Sequence, residues 1–186
     1  MSSRIKCLKE NPSQTAGPYV HIGCMPSFSG IQGMYVHDLG TRPNGQTEKA
    51  EITIRGHIFD GSNSLINDAM IEFCYLTKGD DTDIILTHWG RIACDLQTGE
   101  FVISAHMPVA LDGVSSPHIS LWIVARGINL GLHTRVYFED AINKKDKLFA
   151  LLSIERQDTL IAKRQGNEYR FEINLQGEQE TVFFDF

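Results

Sequence analysis

The sequence predicts a mostly β protein: a two-sheet β-sandwich that carries an extended N-terminal arm and one short helix. Segments in which apolar and polar residues alternate recur at intervals of about 8–15 residues, with turn-forming residues between them, which is typical of sandwiches rather than of βαβ units. Only one segment has a helical pattern, and residues 1–50 contain few periodic apolar positions. A chain of 186 residues is the size of one domain. We therefore expect a single domain over residues 1–186, with an arm at 1–50 and a sandwich core at 51–186.

The clearest strand signal is Glu51–Phe59, where apolar and polar residues alternate until Asp60-Gly61 provides a turn. Gly90–Asp95 and Glu100–Ser104 flank a turn at Gln97-Thr98-Gly99, so we predict that these two segments pair as a hairpin. Further strands are predicted at residues 69–76, 118–125, 132–138, 159–163, 169–175 and 181–186. Strands in this number are enough to build two packed sheets.

One segment has the pattern of a helix. Residues 141–154 carry charges followed by a Leu-Phe-Ala-Leu-Leu run, and Asp140 precedes them as a candidate N-cap. This is the short helix of the predicted fold.

The predicted arm differs from the sandwich strands in composition. Asn11–Tyr19 and the Gly-rich run Gly23–Gly45 lack regular alternation. A disordered tail is the alternative, because disorder concentrates at chain termini. Apolar and aromatic residues such as Tyr19 and Met34 favour an ordered arm, since disordered segments rarely contain them.

Charge and composition argue against several classes of partner. The net charge of -6 provides no electrostatic footprint for nucleic acid or anionic lipid. The longest uninterrupted apolar runs, such as Leu121–Ala125, are far shorter than the roughly 20 residues of a membrane span, and the N-terminus lacks an apolar signal region. The four scattered cysteines form no CxxC pair, which indicates free thiols rather than a disulfide framework or a structural zinc site. We expect a cytoplasmic protein with no nucleic-acid or membrane partner.

Common catalytic motifs are missing from the sequence. It contains no nucleophile elbow, P-loop, dinucleotide fingerprint or zinc-protease helix. Seven histidines suggest a metal site, because Fe(III) binds imidazole together with tyrosinate or carboxylate oxygens. Two strand residues that face one metal lie at positions i and i+2, yet the chain has no His-x-His, His-x-Asp or His-x-Glu. The spacing therefore argues against a metal site.

Two positions are candidates for ligand binding. Arg126 follows the apolar run Leu121–Ala125 and precedes Gly127, so its guanidinium emerges where a strand meets a turn and presents a fork to carboxylates. The competing interpretation of Arg126 is a structural ion pair with an acidic residue. Gly17-Pro18 is either a plain turn or a backbone wall that a ligand approaches closely, because glycine has no side chain.

Several sequence blocks are distinctive. They are Ser13–Gly23, Ala125–Phe138 and Gln176–Phe186, together with Thr159–Arg164 and Tyr169–Phe171. The blocks resemble the alpha chains of the intradiol ring-cleaving dioxygenases, and they lie at both ends and in the centre of the sequence. The resemblance implies a β-sandwich chain of an enzyme with alpha and beta chains. It also implies the reaction, cleavage of 3,4-dihydroxybenzoate by O₂ to 3-carboxy-cis,cis-muconate in the β-ketoadipate pathway of aromatic catabolism.

The resemblance has consequences for iron. Catalytic chains of this family bind non-haem Fe(III) through two tyrosines and two histidines, the latter as a His-x-His pair. The matching positions here are His118 and Ser120, so the second histidine is absent. The segments that would carry the tyrosines, Phe73–Thr82 and Met107–Leu111, have none at the matching positions, and Tyr75 is out of register. The resemblance therefore implies that His118 is a relic, that this chain holds no metal, and that Fe(III) is bound by a partner beta chain.

The resemblance also implies what this chain supplies. The arm would bring Thr15, Gly17 and Pro18 against the substrate pocket of the beta chain, and Arg126 would lie beside that pocket. The arm would provide a backbone wall, and the arginine would provide positive charge for a catecholate that bears a carboxylate. No residue of this chain alone would be catalytic. Two alternatives stay open: a stand-alone transthyretin-like binding or scaffold module without catalysis, and a complete iron enzyme with one type of chain.

Overall fold

The computed structural model of the chain describes residues 15–40, 50–79, 85–110 and 112–185. The helices in these ranges are α1 (Pro18–Cys24), α2 (Lys147–Ala150) and α3 (Ile154–Asp158). The strands are β1 (Ile52–Gly56), β2 (Ile58–Phe59), β3 (Met70–Lys78), β4 (Ile85–Ala93), β5 (Phe101–Ala105), β6 (His118–Val124), β7 (Leu132–Phe138), β8 (Ile161–Gln165), β9 (Glu168–Arg170) and β10 (Ile173–Asn174). Residues 1–14 and 41–49 of the predicted arm lie outside the described residues, as do residues 80–82, Leu111 and Phe186.

The strands form two layers joined by one strand. β4, β3, β6 and β7 pair antiparallel in one layer, and β9, β1 and β5 belong to the other. β8 links the layers, because Ile161 and Ala162 pair with β7 whereas Lys163–Gln165 pair with β9. The continuous order is β4-β3-β6-β7-β8-β9-β1-β5, and β10 pairs with β2 in a small separate sheet. This mostly β arrangement confirms the predicted sandwich.

The hydrophobic core lies between the layers and follows the alternation of the strands. Ile71 and Phe73 on β3, Ile119 and Leu121 on β6, and Ile54 on β1 are buried in one cluster. Full burial of a side chain of this size stabilises the fold by about 1.5–3 kcal/mol. A slip of one residue in β6 would expose this set, so the pattern fixes which side chains face away from the core.

The single helix predicted at residues 141–154 is wrong: α2 covers only Lys147–Ala150 of that range, and α3 begins at its last residue and continues to Asp158. α2 has Asp146 as its N-cap, and α3 has Ser153. Asp140 caps neither of them; its carboxylate accepts a hydrogen bond from Arg164 at 2.9 Å. The cap acceptors lie later in the sequence than predicted, and the chain before them remains irregular.

Two strand predictions are wrong. The amide of Gly99 donates to the carbonyl of Asp95 at 2.8 Å and closes the predicted turn, but β4 pairs with β3 and β5 pairs with β1. The turn therefore carries the chain from one layer to the other instead of closing a hairpin. Residues 181–185 form no extended strand, and a single bridge joins Phe184 to His133.

Asp146 ties the loop before β6 to helix α2. It is 4% exposed, and one carboxylate oxygen accepts from the amides of Leu148 and Phe149, both at 3.1 Å. The other oxygen accepts from the amide of Ser116 at 2.6 Å. Burial raises the pKa of Asp146, but the donors Ser116, Phe149 and Leu148 outweigh burial, so the pKa lies below its ordinary value.

We expect Asp146→Ala to lower the free energy of unfolding by about 2 kcal/mol at neutral pH, because three amides lose their acceptor. A carboxyl group whose pKa is lower in the folded chain than in the unfolded chain contributes its full stabilisation of the fold when the pH is above the unfolded pKa of about 3.9. That stabilisation is lost as the pH falls through the folded pKa. The difference in unfolding free energy between wild type and variant should therefore narrow as the pH falls below about 4, as measured by denaturant titration.

A matched control is Asp158→Ala. The side chain of Asp158 is 61% exposed and pairs with Lys163 at 3.4 Å, so its loss should change stability by about 0.5 kcal/mol or less. A difference between wild type and Asp146→Ala that stayed constant with pH would contradict the role of the ionised carboxylate.

Candidate functional site

The described part of the arm packs against one end of the sandwich, and the two border a partly open cavity of about 410 Å³. Gly17 and His21 of the arm form one wall, and Val124, Arg126 and Asp68 form the other. Most of the remaining lining is apolar, from Val20, Ile22, Phe28, Leu96 and Ala125. A small pocket with apolar walls and a few charged groups is suited to a small organic ligand.

Arg126 emerges where the sequence predicts, just after β6. Its Nε donates to Oδ2 of Asp68 at 2.9 Å, and its side chain is 76% exposed. Gly127, which follows, has φ of +87°, a conformation that favours glycine and turns the chain back. Arg126 thus makes an ion pair and also lines the cavity.

The predicted arm residues meet this turn. Oγ1 of Thr15 accepts a hydrogen bond from the amide of Gly127 at 2.6 Å. Gly17 is the N-cap residue of α1, and Pro18 is the first helical residue. A Cβ atom at Gly17 would have no atom within 4 Å, so the backbone there borders open space. The structure therefore bonds Thr15 to the residue after Arg126 and places Gly17 and Arg126 on the same cavity, and Pro18 follows Gly17 in the chain.

Two titratable residues that line the cavity, His21 and Asp68, were not predicted from the sequence. Burial lowers the pKa of His21 below its usual value, although the negative charge of Asp68 opposes the shift. The lowered pKa favours the neutral imidazole at neutral pH. His21 lies within the distinctive block Ser13–Gly23, which was a usable signal, whereas nothing in the sequence around Asp68 marks it.

The position that the resemblance matches to an iron ligand, His118, lies elsewhere, on the outer face of β6. His118 and Ser120 alternate with buried Ile119 and Leu121, so they face away from the core. Nδ1 of His118 lies 2.9 Å from the carbonyl oxygen of Ser116. Burial lowers the pKa of His118, and the positive charge of Arg135 lowers it further.

The residues around His118 do not fit a ferric ion. Ser120 stands in register with Arg135 on β7 and with Cys74 on β3. A guanidinium at this position would repel Fe(III), and a thiol and an aliphatic hydroxyl are not donors that the family uses. Tyr137 stands opposite His118 on β7, with ring centroids 5.5 Å apart, but its hydroxyl accepts from Nη1 of Arg135 at 3.4 Å. Burial raises the pKa of Tyr137, which disfavours the tyrosinate that would bind Fe(III). Within the described ranges, no three His, Cys, Asp or Glu side chains come together in a metal-binding group.

Tyr75 faces the opposite side of its sheet from His118. It is buried in the core, its ring stacks on His88 with centroids 4.8 Å apart, and its hydroxyl accepts from the amide of His106 at 3.3 Å. Alternation along β3 places Cys74, not Tyr75, beside Ser120. Tyr75 therefore cannot join His118 at one metal.

Comparison with known proteins identifies the family. The chain is 36% identical to the protocatechuate 3,4-dioxygenase alpha chain of Pseudomonas putida over an alignment of 201 positions, which spans 98% of this chain and 99% of that one. The chain belongs to the protocatechuate 3,4-dioxygenase alpha chain family. It is also 32% identical to the protocatechuate 3,4-dioxygenase alpha chain of Burkholderia cepacia over an alignment of 196 positions, which spans 96% of this chain and 98% of that one. No family model matches the sequence.

Solved structures show the same fold at low identity. The dioxygenase domain of a carbohydrate-binding fusion protein from Streptomyces sp. SirexAA-E aligns with a TM-score of 0.52 and 18% identity, over 74% of this chain and 84% of that one. An intradiol ring-cleavage dioxygenase from Tetranychus urticae aligns with a TM-score of 0.52 and 11% identity, over 70% of this chain and 82% of that one. The chain therefore shares its sandwich fold with the intradiol dioxygenases, a family of oxidoreductases that use non-haem iron.

None of the helices in the described ranges has the length and hydropathy that a membrane-spanning helix requires.

Proposed function

We propose that this chain is the alpha subunit of protocatechuate 3,4-dioxygenase and that it completes the substrate pocket of a protocatechuate 3,4-dioxygenase beta chain, which holds the Fe(III). The supporting observation is the cavity where the arm residue Gly17 and the arginine Arg126 meet. Family membership supplies the reaction class, O₂-dependent cleavage of an aromatic ring between two hydroxyl-bearing carbons. The substrate we propose is 3,4-dihydroxybenzoate, and the product is 3-carboxy-cis,cis-muconate.

Each proposed contribution of this chain is a binding contribution. Arg126 would pair with the carboxylate of the substrate, because a guanidinium keeps its charge at physiological pH and offers parallel N–H donors. The apolar wall from Val20, Phe28 and Val124 would contact the aromatic ring, and the backbone at Gly17 would border the ligand closely. The Fe(III) of the beta chain supplies the redox chemistry when bound, and this chain orients the ring that is to be cleaved.

Exposed apolar side chains support a hetero-oligomer. Tyr19, Val36 and Leu130 are 82%, 94% and 80% exposed, and Met34 and Leu39 of the arm are also exposed. Tyr19 follows Pro18 directly, and Leu130 lies in the turn that begins at Arg126, so both lie close in sequence to the proposed site residues. Large apolar residues at such positions are typical of a surface that a partner covers.

The proposal extends to the domain organisation and the compartment of the chain. We infer one domain over residues 1–186, with the arm at 1–50 contacting the partner and the sandwich at 51–186 carrying it. Cys24, Cys74 and Cys94 are free thiols, which favours a reducing compartment such as the cytoplasm.

Co-expression with the candidate beta chain tests the proposal. We expect the two chains to co-elute in size-exclusion chromatography, to contain iron, to show tyrosinate-to-iron charge-transfer absorption and to consume O₂ with 3,4-dihydroxybenzoate. This chain alone should be colourless and inactive. Iron and activity in the chain alone would instead establish a one-chain enzyme, and a chain that stayed monomeric beside the beta chain would favour a scaffold module.

A further inference from the structure

The ion pair of Asp68 and Arg126, which both line the cavity, is asymmetric in its exposure. Asp68 lies two residues before β3, and its side chain is 26% exposed, whereas the side chain of Arg126 is 76% exposed. The acid is therefore held by the fold, and the arginine is the member with freedom to move. The contact runs from Oδ2 of Asp68 to Nε of Arg126 at 2.9 Å.

Which guanidinium nitrogen bonds to Asp68 determines which N–H donors of Arg126 remain for a ligand. A guanidinium has five N–H donors in one plane, and Asp68 takes the one on Nε. Among the described residues, no acceptor bonds to Nη1 or Nη2 of Arg126. These two nitrogens form the end of the fork, which is the geometry that a carboxylate accepts with two parallel hydrogen bonds.

A flexible arginine loses conformational entropy when a ligand immobilises it. A contact at Nε restrains the last torsions of the side chain before any ligand arrives, so less entropy remains to be lost on binding. Asp68 and Arg126 both line the 410 Å³ cavity, so the restraint acts where a ligand would bind.

We infer that Asp68 is a positioning residue, which holds Arg126 by Nε so that its Nη fork is directed to a carboxylate in the cavity. This inference rests on the proposed function, in which Arg126 pairs with the substrate carboxylate. Asp68 acts through the arginine and does not contact the ligand. The positive charge of Arg126 neutralises the negative charge of Asp68, so Asp68 can line a pocket that binds a carboxylate without repelling that ligand.

The test is equilibrium binding to the assembled alpha–beta complex, measured by calorimetry. The probe is 4-hydroxybenzoate, and 4-methylphenol serves as the probe without a carboxylate. We expect Asp68→Ala to weaken 4-hydroxybenzoate binding about 3- to 10-fold and to change 4-methylphenol binding less than twofold. Asp68→Asn keeps an oxygen that accepts from Nε and should restore binding to within about twofold of wild type.

A double variant separates positioning from a general structural role. In an Arg126→Ala background, Asp68→Ala should cause no further loss, because the group it positions is gone. Asp158→Ala is the matched control, since it removes an exposed acid that pairs with Lys163. Gel filtration and iron content of every variant complex show that assembly is intact.

Each outcome discriminates between the two proposals. If Arg126→Ala weakens 4-hydroxybenzoate binding but Asp68→Ala does not, the positioning role of Asp68 is wrong and the proposed function stands. If Asp68→Asn is as weak as Asp68→Ala, the charge of Asp68 acts rather than its hydrogen bond, and the inference is again overturned. If Arg126→Ala itself leaves binding unchanged, both the role of Arg126 and that of Asp68 are wrong.

Discussion

Arg126→Ala in the assembled enzyme is expected to raise the KM for 3,4-dihydroxybenzoate about 10- to 100-fold while leaving the iron content unchanged. Hydrogen bonds between charged groups contribute about 1.5–3 kcal/mol, and the proposed pair is the contact between this chain and the substrate carboxylate. Because Arg126 lies at the cavity and not at an iron site, its loss should not release metal. Steady-state oxygen uptake and metal analysis of the same preparation measure both quantities.

The control for this prediction is Arg164→Ala. Arg164 is also an exposed arginine that pairs with an aspartate, Asp140, at 2.9 Å, but it lies on β8 and does not line the cavity. We expect its replacement to leave KM within about twofold of wild type. Unchanged kinetics in Arg126→Ala would remove the functional assignment of Arg126 and leave its ion pair with Asp68 as a structural contact.

The sandwich could be predicted because it rests on a local signal. Alternation along β6 fixes which of its residues face the core, and the same alternation places His118 and Ser120 on the outer face. The absence of a second histidine two residues after His118 is likewise visible in the local sequence. The position of Arg126 at the end of β6 also follows from the local sequence, in which an apolar run ends before a glycine.

Strand pairing could not be predicted in the same way. A tight turn between Asp95 and Gly99 indicates a hairpin by local rules, yet β5 pairs with β1. The choice of partner depends on contacts between residues that are distant in sequence, which no local pattern contains. The division of β8 between the two layers is of the same kind.

The candidate site shows the same limit. Thr15 and Gly127 are 112 positions apart in sequence, and Asp68 and Arg126 are 58 apart. The sequence block around residues 13–23 and the arginine were distinguishable by resemblance, but Asp68 became visible only once the fold brought it to the arginine. A residue that acts by orienting another side chain has no local sequence pattern by which a single sequence could identify it.

Gly56→Ala is expected to destabilise the chain by about 3 kcal/mol or more. Gly56 ends β1 in register with Phe101 of β5. A Cβ atom there would lie 1.7 Å from the carbonyl oxygen of Phe171 and 2.8 Å from the Phe101 ring, so backbone must move. That movement would disturb the 3.0 Å hydrogen bond from the amide of Phe171 to the carbonyl of Arg55. The melting temperature should fall by roughly 6–12 °C in calorimetry.

Gly23→Ala is the matched control for Gly56→Ala, because a Cβ atom at Gly23 in α1 would have no atom within 4 Å. Replacement of a helical glycine by alanine in open space should leave stability equal to wild type or higher by up to about 1 kcal/mol. If the Gly56→Ala chain had the same melting temperature as wild type, β1 and the segment at Phe171 would not pack this closely. The arrangement of β1, β5 and β9 in the second layer would then be wrong, while the cavity, which is built on β6 and the arm, would be unaffected.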